Sequence, residues 1–102
     1  MGTTIHSMEY YREKERIAYN AIPGVAQILA AAPSEREKLE VKYPDAAFAL
    51  MVTENLCGLD REQCDINQNA YFSILKGENI SDVRFHYNKA MRSYVERHLW
   101  DD

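Results

Sequence analysis

The segment Pro44-Asp45-Ala46-Ala47-Phe48-Ala49-Leu50-Met51-Val52 contains seven consecutive residues, Ala46 to Val52, with no strongly hydrogen-bonding side-chain atom. Its alanines and its helical flanks fit a helix better than a buried strand. A helix apolar on every side has no face to give to water, so other elements must surround it. At nine residues the segment is too short to span a bilayer, and nothing else in the chain comes closer. The sequence therefore predicts an all-α fold: a compact bundle of five to six helices around a central apolar helix at about 44–57.

Residues 1–102 read as a single domain. Folding a chain of this length buries roughly two-thirds of the surface its unfolded form exposes, so no metal or disulfide staple is required. Breakers divide the sequence. Apolar residues at Ile5, Met8, Tyr11, Ala18 and Ile22 mark one face of a first helix, which Pro23-Gly24 ends. The charged run Arg12-Glu13-Lys14-Glu15-Arg16 spans more than a turn of it and cannot be buried all round. A short helix through Val25, Ile28 and Leu29 follows and stops at Pro33. Ser34-Glu35-Arg36-Glu37 has the form of a capping box opening a charged helix that packs through Leu39, Val41 and Tyr43. The central helix then runs to about Cys57, with Gly58 as the residue after its end. Asp60-Gln63 and Asp65-Gln68 are rival starts for the fifth helix, which stops near Lys76-Gly77. The last begins at Ser81-Asp82 and carries the stripe Val83, Tyr87, Ala90, Met91, Tyr94, Val95, His98 and Leu99.

Charge narrows the partners. The chain carries twelve basic and sixteen acidic residues, for a net charge of −4. Residues 34–65 hold eight acids against four bases, so that segment accounts for the whole excess. A nucleic-acid binder needs a basic surface to neutralise phosphate, and none stands out. The N-terminal sequence shows no apolar signal region. With two cysteines, Cys57 and Cys64, the expectation is reduced thiols and a cytoplasmic protein.

Chemistry-bearing patterns are sparse. Cys57-x6-Cys64 lacks the spacing of a zinc knuckle, and no second pair or Glu-x-x-His motif completes a metal site. Asp60, Glu62 and Asp65 around Cys64 oppose a reactive thiolate. No phosphate-binding glycine loop or nucleophile elbow occurs. The expectation is a protein without catalytic residues, metal or cofactor. Glu54 is open to two readings: the helix end emerges into water, or a half-buried carboxylate pairs with an arginine, histidine or tyrosine.

Two phrases, Gly58-Leu59-Asp60-Arg61-Glu62-Gln63 and Ser73-Ile74-Leu75-Lys76-Gly77-Glu78-Asn79, resemble parts of phage-type helix-turn-helix repressors. In that family a Gly-Leu-polar-Gln phrase opens the first helix and an Ile-x-x-Gly phrase closes the recognition helix. The interval here is about one helical turn shorter and the turn glycine is missing, so no membership follows. The resemblance implies an alternative function, a small helix-turn-helix-like DNA-binding regulator.

Seven tyrosines are more phenols than one small core accommodates. Tyrosine suits positions with one dry and one wet end, as at interfaces. Tyr10 and Tyr11 are adjacent and cannot both face one core. With Arg12 and Trp100 they are the candidate interface residues. The expected function is a non-enzymatic, cytosolic interaction or accessory protein that binds a protein partner or a second copy of itself as a homodimer.

Overall fold

A computed structural model describes residues 8–99 of the chain. Among these residues there are six helices and no strand: α1 Met8–Asn20, α2 Val25–Ala30, α3 Pro33–Lys42, α4 Pro44–Glu54, α5 Arg61–Leu75 and α6 Ile80–Leu99. The fold is an all-α bundle.

α4 is its centre. Pro44 at the first helical position presets φ and loses nothing, since that N–H has no intrahelical acceptor. Ala46, Phe48, Ala49, Leu50 and Val52 are buried, and α2, α3, α5 and α6 all pack against the helix. α1 reaches it through Tyr19, whose hydroxyl meets the Ala49 carbonyl at 3.2 Å. The alanines allow this crowding: Ala46 and Ala49 have no exposed surface and let neighbouring backbones approach.

α4 ends three residues before the predicted Cys57. Asn55 stops it, donating from Nδ2 to the Met51 carbonyl at 2.8 Å while its backbone N–H meets the Met51 and Val52 carbonyls. Gly58 has the expected left-handed φ of 61° but serves the turn into α5. A Cβ there would lie 3.1 Å from the Cys64 nitrogen.

Two further boundaries differ from the sequence reading. α3 begins at Pro33, with extended Ala32 before it and no side-chain cap, so Ser34 lies inside the first turn. Proline cannot continue α2, but it is well suited to begin the next helix, which removes the need for a serine cap. Val41 does not pack; it is 79% exposed. Two positions from Leu39 is about 200° of helical rotation, so Val41 faces away from the side that Leu39 and Tyr43 share.

The rival starts of α5 are resolved in favour of Asp60. Its Oδ1 accepts the Gln63 N–H at 2.9 Å, and Gln63 Oε1 accepts the Leu59 N–H at 2.5 Å. The Gln63 N–H, and then the Tyr94 hydroxyl, hold the Asp60 carboxyl below its ordinary range. At the far end Gly77 takes φ 80°, and the Gly77 and Glu78 N–H groups return to the Ile74 and Ser73 carbonyls. α6 begins one residue before Ser81, with Asn79 Oδ1 accepting the Asp82 N–H at 3.2 Å. Its stripe is buried at Val83 and Tyr94, partly buried at Tyr87, Ala90 and Met91, and open at Val95, His98 and Leu99. The Arg84 guanidinium lies 3.2 Å from Asp45 and ties the start of α6 to the start of α4.

Gly24 and Gly77 separate backbone conformation from packing. Both have positive φ, but a Cβ on Gly24 would lie 2.2 Å from Tyr43 Cγ, whereas one on Gly77 meets nothing within 4 Å. Gly77→Ala should cost about 1–2 kcal/mol for the left-handed backbone alone. Gly24→Ala should exceed it by about 1–3 kcal/mol because Tyr43 must move. Urea unfolding of the two variants checks this; equal losses would show that Tyr43 yields freely.

Candidate interaction surface

α1 is anchored along only part of its length. Every residue from Met8 to Lys14 is exposed, Met8 the most at 70%. Glu15 ties the helix to α5, its Oε2 accepting the Tyr71 hydroxyl at 2.7 Å. One turn later Tyr19 enters the core, its hydroxyl also against that of Thr53, which donates to the Ala49 carbonyl at 3.1 Å. Burial pushes the Tyr19 phenol up to about 12. The Tyr71 phenol is raised too, through burial first and then its bond to the Glu15 carboxylate.

Three of the four predicted interface residues lie on the exposed turns. Tyr10 and Tyr11 are 38% and 37% exposed, with ring centroids 5.4 Å apart in an edge-to-face arrangement. Lys14 Nζ lies 5.6 Å from the Tyr10 ring centre. Arg12 stands at the mouth of a 380 Å³ groove between α1 and the α2–α4 side, where Leu29 and Leu50 supply apolar surface. Trp100 lies outside the described residues. The face predicted from Ile5 to Ile22 holds from Ala18 onward and fails toward the N-terminus, where Met8 is 70% exposed; Ile5 is also outside the described residues.

The sequence did not reveal the flanks of this surface. Ile17 is 57% exposed and borders a 520 Å³ groove that Ala21, Ile22, Ile74, Leu75 and Ile80 line. Its position off the Ala18–Ile22 stripe was the available signal. Nor did it reveal a cleft of 690 Å³ at the end of α4, which Leu56, Leu59, Asn67 and Tyr87 line. Asn67 is 2% exposed. No local pattern marks an asparagine for burial.

The other predicted features resolve plainly. The Glu54 side chain is 59% exposed and pairs with Arg36 at 3.0 Å, so the helix end does emerge into water while the carboxylate finds an arginine. Cys57 and Cys64 are free; the Cys64 sulfur lies 3.2 Å from Gln68 Nε2, and Cys57 is exposed. Among the described residues no three His, Cys, Asp or Glu side chains converge on a metal position, and no helix is long and apolar enough to cross a membrane. Both phrases that resemble helix-turn-helix repressors fall on and beside α5, which runs unbroken from Arg61 to Leu75. The turn between two helices is therefore missing from that interval. On the flank of α6, Arg97 pairs with Glu62 at 2.7 Å, as Arg84 does with Asp45.

Compared with known proteins, the chain matches no family model, no curated protein and no solved structure.

The phenols that anchor α1 make an alkaline prediction. A phenol with a raised folded pKa keeps its proton longer in the folded chain than in the unfolded one. The stability Tyr19 carries is whole below its ordinary value of 10.0 and is lost as pH climbs toward about 12. Tyr71 acts in the same direction. Urea midpoints should therefore fall across this window, and Tyr19→Phe should fall less steeply from a lower starting stability. Identical slopes would remove Tyr19 from the account.

Proposed function

We propose that this protein is a non-enzymatic, cytoplasmic accessory protein that acts through protein–protein contacts, with the opening turns of α1 as its contact element and a second copy as its partner. One observation carries the reading: Met8 to Lys14 are all surface residues, with Met8 70% exposed and the adjacent rings of Tyr10 and Tyr11 placed at the surface. Short isolated helical segments are marginal in water and depend on packing for stability. A partner laid along these turns adds to that packing, and tyrosine and arginine are the side chains that most often carry such contacts. Homo-oligomers with a self-complementary interface are the commonest assemblies, which makes a second copy the simplest partner. The free thiols suit a reducing compartment, and the polar contact of Cys64 is an amide rather than a base that would activate it.

The DNA-binding alternative draws support from Lys89 and Arg92 of α6, which have no carboxylate partner among the described residues. A gel shift at low salt that vanishes as salt rises would favour it.

Light scattering across about 10 µM to about 1 mM, a span suited to weak association, tests the main reading. The mass should climb from 11.8 kDa toward twice that value. Tyr10→Ala/Tyr11→Ala, with unchanged helicity, should stay at the monomer mass. A wild-type chain that remains at 11.8 kDa throughout, or a variant that associates equally well, would defeat it.

A further inference from the structure

The 520 Å³ groove beside Ile17 has a lining of one chemical kind. Its volume lies within the range of small-molecule sites. Ile17, Ala21 and Ile22 come to it from α1 and the turn that follows, and Ile74, Leu75 and Ile80 from α5 and the start of α6. Ile22 and Ile74 belong to the core while Ile17 is 57% exposed, so the lining reaches from core to surface. Among the described residues no aromatic ring lines it. The walls are aliphatic and offer no flat slot for a ring.

Its charges are few and unbalanced. Lys14, Lys76 and Glu78 line the groove, a net charge of +1 in a chain whose total is −4. None of the three has an ion-pair partner among the described residues. Lys14 stands 5.6 Å from the Tyr10 ring centre, whereas the Lys76 side chain is exposed and makes no contact of this kind. Lys76 follows Leu75 directly, which puts its charge beside the aliphatic lining. Opposite helix poles meet here, as α1 gives way to α2 and α5 to α6, so the backbone favours neither sign. One surplus positive charge suits a guest with one negative charge. Lysine acts as a point charge on a flexible stem and lacks the planar fork with which arginine holds phosphate. A doubly charged phosphate would also leave the site with an excess of −1.

We propose that this groove binds a linear aliphatic carboxylate. The carboxylate meets Lys76 Nζ at the end of α5, and the chain lies over Leu75, Ile74 and Ala21 toward Ile17. The site does not rest on self-association through Tyr10 and Tyr11, so either reading can fail without the other.

Amide NMR titrations at constant ionic strength, below micelle formation, test this with octanoate, acetate, octylammonium and 1-octanol. Octanoate should give saturable shifts centred on Ala21, Leu75 and Gly77. Octanol should bind there more weakly, octylammonium more weakly still, and acetate should leave these signals in place. Lys76→Gln alters an exposed side chain, so its spectrum should keep the native dispersion while its affinity for octanoate drops about tenfold, the equivalent of one lost charge contact. Glu78→Gln should bind octanoate about twofold more tightly, as one exposed like charge is removed. Shifts that fail to saturate or centre elsewhere, equal binding of octylammonium or acetate, or an unchanged affinity in Lys76→Gln would each overturn the proposal.

Discussion

Burial of the middle of α4, full at Ala46, Phe48, Ala49, Leu50 and Val52 and partial at Ala47 and Met51, is the constraint from which the other features follow. A helix whose middle is Ala-Ala-Phe-Ala-Leu-Met-Val has no stripe to leave in water, so the chain surrounds it with α2, α3, α5 and α6 and with Tyr19 from α1. The favourable term is the apolar area withdrawn from water, concentrated at Val25, Ile28, Phe48 and Val52. The small side chains of Ala46 and Ala49 are as necessary as the large ones, because larger residues would hold the neighbouring helices away.

A chain of this size that spends its apolar residues around one short helix has little left to bury the rest. The body is flattened, 47 × 42 × 22 Å, so much of its apolar surface lies near the rim. Leu29, Leu59, Phe85 and Leu99 are all more than 60% exposed. Scattered singly such residues mean little. Beside grooves and an exposed helix they give the molecule surface that another body can cover.

The attachment of α1 depends on phenols more than on aliphatic packing. Tyr19 and Tyr71 each bring an aromatic ring into the core and satisfy the hydroxyl at its edge, one on the Ala49 carbonyl and one on Glu15. Such side chains tolerate a boundary between dry and wet surroundings. This is how α1 can be held at Glu15 and Tyr19 while Met8 to Lys14 stay at the surface. The abundance of tyrosine in the sequence thus has two meanings: some rings fasten the bundle and others remain on its outside.

The all-helical class, the buried middle helix, the proline-defined start of α4 and the glycine stop after α5 were legible in the amino-acid sequence, because each rests on local chemistry. Backbone preference, a missing N–H, and the absence of any polar face act over one or two turns. Where local signals competed, the outcome came from elsewhere in the chain. Asp60 caps α5 with its N–H contacts and is also bonded to Tyr94 from α6 at 2.5 Å, a partner 34 positions away. Pro33 displaced the serine cap, Asn55 ended α4 before Cys57, and Val41 pointed outward though it read as core. The Asn67 cleft and the grooves beside α1 depend on how helices meet, and on which buried amide is left without a partner. Only the tertiary structure decides those matters, since burial and hydrogen-bond satisfaction are properties of neighbours that the linear order does not name.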